Sequence, residues 1–388
     1  MDIKFHIKEF MEILNKNVNK LNDLFFRNRK LSAKDLLYFL TLKNGNNSSY
    51  DITNAKFKCD KIVDTSKASI IKKRNKICFS EFVNLNNALL NCIYNDSKVR
   101  YVAVDGSQLN FIKNLKNQFE INKHKTYCSG LLSSLFDIDK KIPINYSLFK
   151  SFDEREALIS QFPYLKKNDV LIMDRGYYSD DLLKQIYDQN FDAVFRIKNN
   201  SKFVKQLNNN NETVINKVID GKNIKVKIVH YTINKEEYYI CSTLIDKSVA
   251  FFKELYWKRW NIETDFRHLK YDLSLASIQS KSINIIKQDV AVHNFIQITV
   301  GFLEDLLKCN LMDNYKINKK NSIKLTINNL LYYFLYKKKT KKILNKIMHI
   351  LNIIKKTISK IVQNRKFKRI RKLPSSKWNI IGNKFIKR

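Results

Sequence analysis

One stretch of this sequence combines residue types that could act together on a phosphate: Tyr256-Trp-Lys-Arg259-Trp-Asn-Ile-Glu263-Thr-Asp-Phe-Arg-His-Leu-Lys270. No Gly or Pro occurs from Phe251 to Leu275, which predicts a helix. At 100° per residue, with Tyr256 as zero, Arg259 falls at about −60°, Glu263 at about −20° and Lys270 at about −40°. A phenol, two cations and one carboxylate therefore share one arc. Leu255, Ile262, Phe266, Leu269 and Leu273 form the apolar stripe beside it, and Glu254 and Asp265 fall on the far side. Two further acids, Asp105 and Asp174, each follow a short apolar run. Three converging carboxylates stay ionised together only with a cation. Hard oxygen ligands that leave water in place suit Mg²⁺ or Mn²⁺. Two such ions can activate a water or a 3′-hydroxyl for in-line displacement at phosphorus.

The elements around these residues predict how they are positioned. Val99-Arg-Tyr-Val-Ala-Val104 is a strand ending in Asp105-Gly106-Ser107. Residues 127–136 and 141–149 form a hairpin, and 153–161 a helix with Ser151 as its cap. Val170-Leu-Ile-Met173 is a buried strand ending in Asp174-Arg175-Gly176-Tyr177. Ser179 caps the next helix, and Phe191–Ile197 is a further strand. Strand, hairpin, helix, strand, helix, strand is the order of a ribonuclease-H-like α/β domain. In such a sheet the first and fourth strands are neighbours, so Asp105 and Asp174 can face each other. Three period-two segments between 213 and 241 predict a small antiparallel β insertion, after which the Glu263 helix arrives.

The flanks are helical and basic. Ser32 and Asp35 form a capping-box pattern, Asn44 to Ser49 a loop, and residues 65–76 a short basic helix with Lys72, Lys73 and Arg74 as candidate DNA contacts. Residues 283–311 form an apolar helix. Ile343, Ile347, Leu351, Ile354, Ile358 and Ile361 mark a long amphipathic helix, and Arg365 to Lys372 a basic tail. The expected divisions are 1–95 (helical, DNA-binding), 96–200 (first part of the core), 201–248 (β insertion), 249–312 (second part of the core) and 313–388 (basic helical region).

Composition narrows the partner. Lys and Arg number 72 against 36 acids over 388 residues, a net charge of +36. So basic a chain suits a polyanion, nucleic acid first and an anionic membrane surface second. No uncharged apolar run is long enough to suggest a membrane span, and the first residues lack an apolar signal core. The cysteines (59, 78, 92, 128, 241 and 309) form no CxxC pair, which argues against zinc and disulfides and fits a reducing, cytoplasmic setting.

Tyr256, Arg259, Glu263 and Lys270 fit, without a gap, the Tyr-(2)-Arg-(3)-Glu-(6)-Lys signature of one group of bacterial insertion-sequence transposases of the DDE type. The chain resembles that family also in Ala103-Val-Asp105-Gly-Ser107, Met173-Asp174-Arg-Gly-Tyr177, Phe26 to Ser32, Asp153 to Glu156 and Ser280-Lys281. The resemblance implies cut-and-paste DNA transposition, with Asp105, Asp174 and Glu263 holding two Mg²⁺, for which Mn²⁺ could substitute. Arg259, Lys270 and Tyr256 would contact the cleaved strand end, with Arg175 as a further DNA contact. Trp257 and Trp260 are candidate DNA contacts, either of which would stack on a displaced base, with core packing the alternative for at least one of them. Partners would be double-stranded DNA, as terminal inverted repeats and target, and a second copy on paired ends; no membrane is implied. The location would be the cytoplasm, at the bacterial nucleoid. Asp153, Glu154 and Glu156, further acids near the site by sequence, read as charges favoured at a helix start, with a supporting role beside the site as the lesser alternative. A stand-alone DNA nuclease and a domesticated, non-catalytic DNA-binding regulator are the rival readings.

Overall fold

The first strand, β1 (Tyr101–Ile112), carries Asp105 and seats the rest of the sheet. In chain order there follow β2 (Glu120–Ile121), β3 (Tyr127–Asp137), β4 (Ile142–Phe149), β5 (Val170–Met173), β6 (Asp192–Ile197), β7 (Glu212–Ile219), β8 (Lys222–Ile233) and β9 (Glu236–Ser242). These belong to a computed structural model that describes residues 2–24, 31–43, 48–58, 65–94, 98–112, 115, 117–121, 127–208, 210–277, 280–308 and 315–361. The expected basic tail, Phe26 to Lys30, and Asn44 to Asn47 lie outside the described residues; Ser48 and Ser49, expected in a loop, begin a helix.

The chain divides into two compact units. One comprises Asp96–Gln108 and Leu131–Phe266, the other Met1–Asn95, Leu109–Gly130 and Arg267–Arg388. The helical regions at the two ends of the sequence thus belong to one unit.

The sheet runs in the order β2-β3-β1-β5-β6-β9-β8-β7, with β4 on β3. β1 pairs with β5 in parallel, and β5 with β6 in parallel. The hairpin β3–β4 is antiparallel, with a bulge between Leu135 and Phe136. The expected neighbour relation of the first and fourth strands of the domain is therefore present. Its register is pinned one residue before the paired segment, where the buried Arg100 holds Asp169 through Nε–Oδ1 at 2.8 Å and Nη2–Oδ2 at 2.5 Å. Val102, Ala103, Val104 and all of β5 are buried, as the uninterrupted apolar runs require.

Two local expectations are corrected. β1 does not stop at Val104 but continues to Ile112, because the long β3 lies on its other side in the sheet. The antiparallel strands expected between 213 and 241 are β7, β8 and β9, and β9 pairs antiparallel with β6, so they extend the main sheet. Asp153, not Ser151, caps the short helix Glu154–Ile159, accepting from the N–H groups of Arg155 and Glu156.

The other unit is mostly helical. Its axis is the helix Ile283–Leu307, long and apolar enough by length and composition to cross a membrane but almost wholly buried in this fold. Phe10 stacks on Phe302 at 4.6 Å between ring centroids. Ser32 and Asp35 form the expected capping box. The late amphipathic helix ends at Lys356, earlier than its isoleucine spacing suggested, and Ile358 lies in a short strand paired with Tyr315–Ile317. The basic helix Lys67–Asn75 turns Arg74 inward, where the guanidinium donates to Asp289 at 2.7 Å, to Gln288 at 3.0 Å and to the Ile285 carbonyl at 2.9 Å. Its donors are used inside the fold, so Arg74 is not available as a phosphate contact. Lys72 is exposed and Lys73 half-buried on the same helix.

Candidate active site

Strand pairing brings the two aspartates together. The parallel register Tyr101↔Val170, Val102↔Leu171, Ala103↔Ile172, continued two residues, sets Asp105 beside Asp174. Their charges repel. The Asp105 carboxyl is pushed above its ordinary value by burial first and by Asp174 as well, against the pull of Arg259 and the Gly106 N–H, which donates to it at 2.9 Å. Asp174 goes the other way. Burial pushes it up, but the Arg175 N–H, Arg259, the Tyr256 hydroxyl and Arg196 together bring it below its ordinary value. Neighbouring carboxylates with values driven apart are a recurrent feature of functional sites.

The third carboxylate arrives through Arg259. Its Nη1 lies 3.5 Å from Asp105 Oδ2 and its Nη2 3.8 Å from Glu263 Oε1, so one guanidinium bridges the two acids. Arg259 is 3% exposed, and its Nε and Nη1 make no hydrogen bond. The Tyr256 hydroxyl donates to Asp174 Oδ1 at 3.0 Å. Tyr256 and Arg259 therefore contact the acids that the sequence placed beside them.

The signature stretch is not one helix. Helices Val249–Lys258 and Asn261–Arg267 are separated at Arg259 and Trp260. There the N–H groups of Arg259, Trp260 and Ile262 bond three residues back, to Tyr256, Trp257 and Arg259. This tightening breaks the single wheel. Leu255, Ile262, Phe266, Leu269 and Leu273 are nevertheless all buried, as expected. Asp265, expected to face outward, is buried and accepts from the Tyr146 hydroxyl of β4. Neither tryptophan packs in the core: Trp257 is 50% and Trp260 42% exposed. Arg175 is exposed next to Asp174.

Lys270 belongs to the other unit, in the π-helical turn His268–Asp272. Such turns recur at functional positions. Burial lowers the Lys270 ammonium to about 8. It is charged below that pH and neutral above it, so any phosphate contact it makes weakens as the pH rises from about 7 to about 9. Lys270→Arg, charged throughout, should abolish that alkaline loss of DNA affinity, measured as Kd against pH. An unchanged alkaline slope would remove Lys270 from the contact.

One residue at the site escaped the sequence reading. Arg196 lies on β6, its Cζ 4.3 Å from the Tyr238 ring centroid and 6.0 Å from that of Tyr256, and it helps hold Asp174 ionised. A cation inside the otherwise apolar run Ala193-Val-Phe-Arg-Ile197 was the available signal. Glu154, which the sequence reading named among the acids of a helix start, also lies near the site. Of the three acids at that helix start, it is the half-buried one whose charge acts on Asp105 and Asp174, while Asp153 and Glu156 are exposed.

The sequence pattern of the transposase DDE domain matches residues 97–296, which include Asp105, Asp174, Glu263 and Lys270. The chain belongs to the transposase DDE domain family. A putative transposase for insertion sequence element IS4SA of Synechocystis sp. is 33% identical over 132 residues, covering 31% of this chain and 37% of that protein. The match thus spans well under half of that relative's length. A cryo-EM structure of the piggyBac transposase synaptic complex with hairpin DNA superposes with a TM-score of 0.48 and 12% identity, over 94% of this chain and 86% of that one.

Proposed function

We propose that this protein is a DNA transposase that moves an insertion sequence by cut-and-paste, in the group with the Tyr-(2)-Arg-(3)-Glu-(6)-Lys signature. The parallel pairing of β1 with β5, which sets Asp105 beside Asp174, carries this reading. The order β4-β3-β1-β5-β6, with β1, β5 and β6 parallel, supports assigning a ribonuclease-H-like core.

The donor set fits magnesium or manganese in kind. It is all oxygen and its acids repel one another, but as they stand no three His, Cys, Asp or Glu residues among the described ones are close enough to hold an ion. Arg259 bridges two of the acids instead. Asp105, Asp174 and Glu263 would hold two Mg²⁺ once Arg259 turns to a phosphate. When bound, the ions lower the pKa of an attacking water or 3′-hydroxyl and neutralise the leaving oxygen.

The chain's own residues supply the rest. Tyr256 holds Asp174 in place through its hydroxyl. Arg259, buried with Nε and Nη1 making no hydrogen bond, would turn from its ion pairs to bind the scissile strand's phosphate, where a charged donor counts most. Lys270, Arg175, Lys72 and Lys73 bind flanking phosphates. A water first cleaves one P–O bond at the element's end and frees a 3′-hydroxyl. That hydroxyl attacks the opposite strand, forming a hairpin, and hydrolysis reopens it. The freed 3′ end then displaces a 3′ oxygen in target DNA. Cutting two ends for one insertion needs two sites, hence a homodimer on paired inverted repeats.

The exposed tryptophans suit the hairpin step, which pulls a base out of the stack. Trp260 lies beside Arg259, whose Cζ is 5.5 Å from its ring. Trp260→Ala should slow hairpin formation by about tenfold or more, the worth of one stacked base, and leave the first nick nearly unchanged. Equal loss in both steps would take Trp260 out of base stacking.

The decisive test incubates the protein with duplex DNA carrying the element's own end, in Mg²⁺ and in Mn²⁺. A hairpin-ended product is expected. Flush or nicked products without a hairpin would make the protein a nuclease. Tight binding without cleavage in either ion would make it a DNA-binding regulator.

A further inference from the structure

Asp174 is the first residue after β5, and residues 174–178 belong to no helix or strand before Ser179 caps the next helix. The Tyr177 N–H donates to the Asp174 carbonyl at 3.1 Å, so Asp174 opens a turn. Gly176 sits in that turn, and a Cβ added there would meet nothing within 4 Å. Space does not require the glycine, and a glycine leaves the backbone loose. A loose turn is a poor carrier for a carboxylate that its neighbour Asp105 repels.

Arg155 supplies the missing restraint. It lies in the first turn of the helix Glu154–Ile159, which Asp153 caps and the buried Ala157 and Leu158 seat. Its Nε donates to the Gly176 carbonyl at 3.2 Å, and its Nη2 donates to the same carbonyl at 2.9 Å and to that of Tyr178 at 3.2 Å. The Tyr178 ring then meets Phe195 of β6 and Phe203 edge-on, at 5.2 and 5.4 Å between centroids. Three acids, Asp153, Glu154 and Glu156, adjoin Arg155 in the chain. Among the described residues its side-chain partners are nevertheless the two carbonyls of the turn. A rigid planar fork can span two carbonyls in this way, and a lysine ammonium cannot. Because Arg155 is exposed, its removal opens no cavity in the core.

We propose that Arg155 is a positioning residue: by clamping the carbonyls of Gly176 and Tyr178 it fixes the turn that carries Asp174, and so the setting of that carboxylate beside Asp105. This rests on the reading of Asp174 as an acid of the catalytic site. Tyr256 holds the Asp174 carboxylate, and Arg155 holds the backbone behind it. The role needs no contact between Arg155 and DNA.

The test combines amide hydrogen exchange over residues 174–178 in the full-length protein without DNA, single-turnover cleavage of an end duplex, and a DNA Kd over a salt series. Arg155→Ala should speed exchange in the turn by about tenfold, as the loss of hydrogen bonds from a charged donor implies. It should slow cleavage by about ten- to a hundredfold and leave Tm and Kd nearly unchanged. Arg155→Lys keeps the charge and should resemble Arg155→Ala in exchange and in rate. Wild-type exchange in a folded Arg155→Ala or Arg155→Lys, or a rate within about twofold of wild type, would refute the clamp. A weakened Kd with a shallower salt dependence in Arg155→Ala, restored by Arg155→Lys, would make Arg155 a phosphate contact instead. If Asp174→Asn cleaves as wild type does, the catalytic reading of Asp174 falls, whereas the exchange result still decides whether Arg155 holds the turn.

Discussion

Glu263→Gln is expected to lower Mg²⁺-dependent end cleavage by about a thousandfold or more while DNA affinity stays within about twofold. The amide keeps the size and loses the charge. Glu263 holds Nη2 of Arg259 at 3.8 Å, while Asp105 faces Nη1 at 3.5 Å. Without the Glu263 charge, both metal affinity and the setting of Arg259 suffer, yet no phosphate-binding cation is removed. The measurement is single-turnover cleavage of an end duplex alongside a gel-shift Kd. Asp174→Asn should fall as far, and the double variant scarcely further, because residues acting as one unit are not additive. A Glu263→Gln rate within tenfold of wild type would exclude this glutamate from the chemistry.

Much of the framework behind that prediction was legible in local pattern. The apolar runs at Val102–Val104 and Val170–Met173 are buried strands, and the 127–149 hairpin formed with its turn where the polar Asp137 to Lys141 segment falls. Ser32 and Ser179 cap the helices that their positions announce. What local pattern could not carry was long-range pairing. Period two shows that β7, β8 and β9 are strands, but not that β9 finds an open edge on β6. Nor does an isoleucine spacing say that the chain leaves the helix at Thr357 to pair Ile358 with Ile317.

The site shows the same division. Strand order alone put Asp105 next to Asp174. The helical wheel put Arg259 with Glu263, and those two remain paired although the wheel itself fails at residues 259 and 260. A wheel assumes a uniform 3.6-residue repeat, and the i→i−3 bonds from residues 259, 260 and 262 void that assumption. Asp265 was misplaced for that reason. Arg74 was misjudged for another. Charge in a basic run reads as surface charge, and only a buried acid on a distant helix, Asp289, reveals that one member points inward.

Asp289→Ala should therefore destabilise the helical unit by about 3–5 kcal/mol, the usual cost of stripping one partner from a buried ion pair. Asp289 is 3% exposed and holds Arg74 at 2.7 Å and Lys43 at 3.0 Å. Removing it strands two cations on the core helix Ile283–Leu307. Burial alone would raise the Asp289 carboxyl, but Arg74, Lys43 and His293 hold it below its ordinary value. A depressed carboxylate contributes stability in full above the unfolded value, near about 4, and loses it as the pH falls through the lower folded value. Wild type should thus lose stability on acidification in that window, and Asp289→Ala should lose less. Urea unfolding at pH 7 and across acid pH gives both quantities, and a loss under about 1 kcal/mol at pH 7 would deny the cluster its structural role. The contrast with Lys72 is the sharper consequence. Arg74→Ala should weaken DNA binding only by unfolding the protein, with a lowered Tm. Lys72→Ala, on the exposed side of the same helix, should leave Tm unchanged and reduce the salt dependence of DNA binding by about one phosphate contact. The basic helix thus divides its charges: Arg74 fastens it to the core, and Lys72 remains for the polyanion.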